Sequence, residues 1–173
     1  MQDQAGEQPS LAQSIFSLKM LTCVFIGLSS GFPYYVLAQL VPAWLRTEAV
    51  DLATIGLFSL ILLPYNWKFL WAPFMDRYMP PVLGRRTGWM LLTQVSLLFT
   101  IGVLGFLQPL EAIWLAAAVC GIVAFFSASQ DVVIDAFRRE LLTDNELGLG
   151  TTIHVQAFRI SGLVPGALGL ILA

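Results

Sequence analysis

Residues Pro64–Arg86 read PYNWKFLWAPFMDRYMPPVLGRR. The stretch starts within an apolar segment, carries a single lysine, Lys68, into it, and ends in a short polar turn. That turn holds Asp76, Arg77, Arg85 and Arg86 between two strongly hydrophobic runs, and Pro80-Pro81 stops a helix from continuing through it. One passage therefore encodes the end of a lipid-spanning helix, a tight cationic loop and the start of the next helix. Loops of membrane proteins that are rich in Lys and Arg are the cytoplasmic ones.

The surrounding composition agrees. The 173 residues are 57% hydrophobic and 12% charged, with a mean hydropathy of +0.77. In soluble domains about a quarter of the residues are charged. The apolar residues fall in blocks long enough for a hydrocarbon core, which needs about 20 residues per helix. The formal net charge of −2 says little, because the sign of each loop matters more than the total. Cys23 and Cys120 both sit inside apolar blocks, with no disulfide or metal spacing, and read as free buried thiols. The polar, acidic N-terminus lacks a basic region, and the first apolar block is too long for a signal-peptide core, so nothing reads as cleaved.

Read in order, the chain is an all-α membrane protein of about five helices. Residues 1–14 are expected to be a mobile polar tail, and residues 15–173 to lie in the membrane domain. The helices are expected at about 18–44, 52–75, 87–107, 112–135 and 149–173, the fourth continuing as an amphipathic end through Leu142. The GLSSGFP centre of the first, with Gly27, Gly31 and Pro33, breaks regular winding and implies close packing or a cavity wall. Thr143–Gly148 reads as a polar turn. Lys19, Arg77, Arg85, Arg86, Arg138 and Arg139 gather on one side of the membrane and only Arg46 on the other, which places the N-terminus and the Asp76–Arg86 loop in the cytoplasm.

Ionisable residues left inside the spans are the informative ones. A central Asp, Lys or Arg costs roughly 2.5–3.5 kcal/mol on insertion, so each needs a partner, a wet cavity or a route to the head groups. Lys68 lies about two turns from the cytoplasmic end of the second helix, within reach of the head groups by snorkelling. Asp131 and Asp135 are four apart and share a face of the fourth helix. Asp135 is placed to pair locally with Arg138 or Arg139. Asp131 is a turn deeper, beside Gln130. Arg159 is the deepest base, roughly 12–15 Å into the fifth helix, and calls for a carboxylate, with Asp131 at similar depth.

The order Asp76-Arg77, then Gly84-Arg85-Arg86, then a helix resembles the loop signature of major facilitator transporters. Ala72 stands where that signature begins with Gly, and Tyr78–Leu83 lengthens the gap. DLATIGLFSL, KFLWAPFMDRY, GRRTGWMLLTQ, SASQDVVIDAFRRELL and FRISGLVPGALG are together similar to the AmpG-type muropeptide permeases and the related acetyl-CoA transporters. Phe158 stands where that family often has Tyr. The resemblance implies the first part of a major facilitator N-terminal six-helix bundle, in a bacterial inner membrane. It implies proton-coupled import of anhydro-muropeptides in cell-wall recycling, by a longer permease whose C-terminal half is missing from this chain.

For such a glycopeptide substrate the expected cavity residues are Tyr35, Gln39, Gln130, Gln156 and Arg159. Aromatic faces suit sugar rings, amides suit hydroxyls and an arginine suits a carboxylate. Tyr35 equally suits interfacial anchoring. Asp131 is the candidate proton carrier, because burial makes an ionised carboxylate costly. Asp76, Arg77, Arg85, Arg86, Asp135 and Arg138 form the expected cytoplasmic gate. Its partners are substrate, protons and the bilayer, with no nucleic acid, cofactor or resident metal. Other readings are a related carrier for an acetyl-CoA-like substrate, or a membrane scaffold using Gly162-x-x-x-Gly166. A third is a metal-dependent phosphotransferase built on the Asp131/Asp135 pair. The orientation is testable by single cysteines in a background freed of Cys23 and Cys120. A cysteine at Glu48 should react with an impermeant reagent outside spheroplasts and one at Arg85 should not; the reverse pattern overturns the topology.

Overall fold

The structure, a computed structural model, describes residues 17–172 apart from 79 and 81–83. The polar tail and most of the lengthened stretch before Gly84 lie outside the described residues. The elements are α1 (Leu18–Thr47), α2 (Leu52–Leu70), α3 (Ala72–Arg77), α4 (Arg85–Leu104), α5 (Ile113–Leu141), α6 (Asp144–Ser161) and α7 (Leu163–Leu172). Of these, α1, α2, α4 and α5 are long and apolar enough to cross a membrane. The chain is an all-α membrane protein.

α1 is the central element. It lies along α6 for most of its length and also touches α5 and α7, while α4 packs along α5. The α1–α6 seam is made by small residues. A Cβ on Gly27 would lie 2.6 Å from the His154 carbonyl oxygen and 2.9 Å from the Ala157 Cβ. One on Gly31 would collide with the Phe158 carbonyl and the Ser161 hydroxyl. Gly27 and Gly31 are one turn apart, so the absence of two side chains lets the backbones touch along a whole turn. Regular α-helix runs through this segment and through the buried Pro33; the departure comes later, as a π-helical turn over Val36–Leu40. Such turns accompany functional positions often enough to direct attention to Gln39 within it.

The second expected helix is not continuous. Ser59–Leu62 and Lys68–Leu70 are 3-10 turns, and the chain breaks at Trp71 before α3. Pro64 and Pro73 sit in the first turns of the helical pieces that follow, where the missing N–H costs nothing. The expected turn at Thr143–Gly148 is mostly helix. Thr143 and Glu146 form a capping box that starts α6 at Asp144, five residues earlier than expected. The fifth helix also breaks at Gly162, ahead of Pro165, which lacks the N–H that would continue the ladder from Ser161. Gly84, at φ +82°, starts α4, a backbone angle that only glycine adopts freely.

Charges bind the N-terminal end of α1 to α6. Lys19 Nζ donates to Glu146 Oε2 at 2.9 Å. That bond, with the Thr143 backbone and hydroxyl, holds the Glu146 carboxyl down at about 2. Its support is therefore complete above the ordinary Glu range and lost only as pH falls through about 2.

Apolar packing fills the two ends of the bundle. Val36, Leu37, Val41 and Leu45 of α1 meet Leu97, Leu104, Val123 and Ala124 at one end, and Met20, Cys23 and Leu142 meet at the other. The outward faces, with Leu98, Phe99, Trp114, Leu163 and Leu170, are apolar and exposed, as a lipid-facing surface must be. Gly31→Leu should force α1 off α6 and lower the thermal midpoint, by an amount on the scale of overpacking, about 1–3 kcal/mol or more. Gly102→Leu, where a Cβ meets nothing within 4 Å, should leave the midpoint unchanged. Equal tolerance of both would refute the tight seam.

Candidate functional site

Between the two apolar ends lies a polar layer. Gln130 Nε2 donates to Ser29 Oγ at 3.0 Å and to Gln94 Oε1 at 2.6 Å, and Ser29 Oγ donates to the same Gln94 oxygen at 2.8 Å. This amide triangle ties α1, α4 and α5 together. Gln130 is buried in it and lines neither of the hollows described below. Ser29 and Gln94 went unread in the sequence, since single polar residues in a span carry no pattern.

Next to the triangle stands a ladder of charges. Lys68 Nζ is 3.8 Å from Asp131 Oδ2 and 3.9 Å from Asp135 Oδ2. The Ser30 hydroxyl donates to Asp131 Oδ1, and Arg138 Nη2 donates to Asp135 Oδ1 at 2.9 Å. Lys68 thus points into the bundle rather than to the head groups, because the 3-10 turn at Lys68–Leu70 brings it against the shared face of Asp131 and Asp135. The expected Asp131–Arg159 pair is absent among the described residues. Asp131 is satisfied from α1 and α2, while Arg159 is exposed and forms no ion pair there. Similar depth on consecutive helices did not put the two side chains on facing surfaces.

Arg159 instead lines a hollow along α1, α6 and α7 with Tyr35, Gln39, Gly162 and Gly166. A neighbouring hollow shares Tyr35 and Arg159 and adds Tyr34, Asp135, Arg138, His154 and Phe158. Three of the five expected cavity residues, Tyr35, Gln39 and Arg159, therefore come together; Gln130 is held in the amide triangle and Gln156 is exposed outside both hollows. Tyr34, Tyr35 and Phe158 make a continuous aromatic wall, with ring centroids 5.3–5.7 Å apart. Gly162 and Gly166 face Tyr35 and Gln39, so the glycine pair considered for a partner protein is occupied within the chain.

At the end of the bundle that carries Arg85 and Arg86, Arg86 Nη1 donates to Asp76 Oδ1 at 2.6 Å and its Nε donates to Glu140 Oε1 at 2.9 Å. Arg85 donates to the Asp76 carbonyl at 3.3 Å. The clamp joins the end of α3, the start of α4 and the end of α5. Its α5 member is Glu140, which the sequence reading missed, rather than Asp135 or Arg138. Arg77 is exposed and outside it among the described residues. Among the same residues no group of three or more His, Cys, Asp or Glu side chains lies close enough to hold a metal ion.

This arrangement can be set beside known proteins. The chain is 51% identical over 164 residues to an uncharacterized protein of Haemophilus influenzae, covering 95% of this chain and 39% of that one. It is 45% identical over 150 residues to the anhydromuropeptide permease of Escherichia coli K12, covering 87% of this chain and 30% of the permease. A Rickettsia bellii protein named as a transporter, AmpG 1, is 37% identical over 142 residues, 80% of this chain and 35% of that one. The chain thus spans only 30–39% of the length of these relatives, and matches the N-terminal part of the Escherichia coli permease. The named relatives are permeases and transporters, in keeping with a multi-pass membrane protein. The family model described as acetyl-coenzyme A transporter 1 matches residues 14–117, well over half of the sequence, and the chain belongs to that family of membrane transporters.

Proposed function

We propose that this chain forms the N-terminal part of an inner-membrane secondary transporter that imports anhydro-muropeptides together with protons. The observation that carries the reading is the hollow lined by Tyr35, Gln39 and Arg159, on a protein nearly half identical to a permease named for that substrate. An aromatic face for sugar, an amide for hydroxyls and a guanidinium for a carboxylate are the groups such a glycopeptide needs. A second half, contributed by a longer permease, would close the hollow from the other side, as in carriers that bind substrate between two repeats.

Asp131 is the proton carrier in this reading. It is 15% exposed at the side chain, mid-helix, and already has a cation and a hydroxyl as partners. Ionised it pairs with Lys68; protonated it still bonds to Ser30, so neither state leaves a buried group orphaned. The Asp76–Arg86–Glu140 clamp lies at the cytoplasmic end and belongs to the gate. A second reading, import of an acetyl-CoA-like substrate, is favoured by the family model's description. It asks the same arginine to hold a phosphate.

The test is a chimera in which this chain replaces the matching segment of the Escherichia coli permease, in cells without their own. Labelled anhydro-muropeptide should enter, and Arg159→Lys should cut uptake roughly tenfold or more at unchanged protein level, because the bidentate fork is lost. Asp131→Asn should remove the dependence of uptake on a proton gradient. An abundant chimera that carries acetyl-CoA but no muropeptide would shift the assignment to the second reading, and wild-type uptake by Arg159→Lys would remove Arg159 from the site.

A further inference from the structure

Two guanidiniums, Arg138 of α5 and Arg159 of α6, line one hollow, and they differ in how they are paired. Arg138 is the buried member of its ion pair, 14% exposed at the side chain, whereas its partner Asp135 is 53% exposed. Arg159 is exposed and outside any ion pair among the described residues. His154 lines the same hollow and is 6% exposed, with the Cys23 backbone beside its ring. None of these features belongs to the amide triangle or to the end clamp.

We propose that this hollow is a carboxylate site in which Asp135 holds Arg138 until a ligand carboxylate replaces it. Arg159 takes a second carboxylate. The inference rests on the importer reading and narrows the ligand to a compound with two acidic groups, as a peptide stem supplies. The exchange is possible because the exposed partner, Asp135, is the one that leaves. It is cheap because Asp135 keeps a cation: its other oxygen already lies 3.9 Å from Lys68 Nζ. The displaced carboxylate therefore moves from one cation to the next and is never left unpaired. Lys68 is shared with Asp131 at 3.8 Å, so occupation of the hollow is felt one turn deeper in the membrane.

The experiment uses the full 173-residue chain in phosphatidylcholine nanodiscs, which bring no anionic lipid to compete. Glutarate and its uncharged diamide are titrated while the His154 and arginine side-chain resonances are followed. Glutarate should saturate the site and the diamide should not. Arg138→Gln and Arg159→Gln should each weaken glutarate roughly tenfold or more, the scale of a lost charge-assisted hydrogen bond. Asp135→Asn should tighten glutarate several-fold, since Arg138 loses its internal competitor, and the gain should vanish in Asp135→Asn with Arg138→Gln. A purely structural Arg138–Asp135 pair gives no gain, so unchanged or weaker binding by Asp135→Asn overturns the site. Glutarate binding with no muropeptide uptake by the chimera counts against the importer reading alone. Muropeptide uptake with a glutarate response that none of these substitutions alters counts against the carboxylate site alone.

Discussion

Two missing side chains hold the molecule together. Without a Cβ at Gly27 and Gly31, the backbone of α1 can rest on the carbonyls of His154 and Phe158 and on the Ser161 side chain. Inside a bilayer no hydrophobic force pulls helices together, because lipid is as apolar as the side chains it would release. Close van der Waals contact along a small-residue seam has to supply the attraction. The seam also sets the rotation of both helices. With Gly27 and Gly31 turned toward α6, Tyr34 and Tyr35 meet Phe158 one turn further on, and the aromatic wall follows from the glycine contact. The π-helical turn over Val36–Leu40 then re-aims what comes after, which brings Gln39 against Gly166.

The second constraint is electrostatic. A lone cation within a span is expensive, and Lys68 escapes that cost by entering the bundle between two carboxylates. This needs a helix that departs from α geometry at Lys68, which the 3-10 turn and the break at Trp71 provide. The irregularity is anchored by its neighbour: Trp71 Nε1 donates to Ser129 Oγ at 3.0 Å, fixing α2 to α5 at the level of the ladder. Backbone distortion at membrane depth is tolerated where it faces protein or lines a cavity, and the two distorted regions fit that rule: Val36–Leu40 places Gln39 along the hollow, and Lys68–Leu70 places Lys68 against the carboxylates of α5.

The charges divide into two systems of different character. The clamp of Asp76, Arg86 and Glu140 sits at the bundle end, with both carboxylates about half exposed, so its geometry serves to register three helix ends more than to stabilise them. The ladder of Asp131, Lys68, Asp135 and Arg138 ties α2 to α5, with Asp131 and Arg138 as its more buried members. Changing the partner of any one rung must be answered by the next, because each carboxylate and cation shares a neighbour with another.

Much of this was legible in the sequence. Length and hydropathy of the apolar blocks identify the spans, because hydrocarbon thickness dictates about 20 residues each. The Asp-Arg and Gly-Arg-Arg groups around the loop and the four-residue spacing of Asp131 and Asp135 follow from local order alone. The capping box of Thr143 and Glu146 was written there too, as a Thr followed three residues later by Glu, and was read as a turn only because polarity outweighed spacing. What the sequence by itself determined is therefore which residues are forced to find partners. The tertiary structure decided which partners they find: Asp131 with Lys68 and Ser30 rather than Arg159, Arg86 with Glu140, Gln130 with Gln94 and Ser29. The reason is geometric. Depth along a helix is counted in residues, but the direction a side chain faces depends on helix rotation, and that rotation is set by the α1–α6 seam and by turns that depart from α geometry.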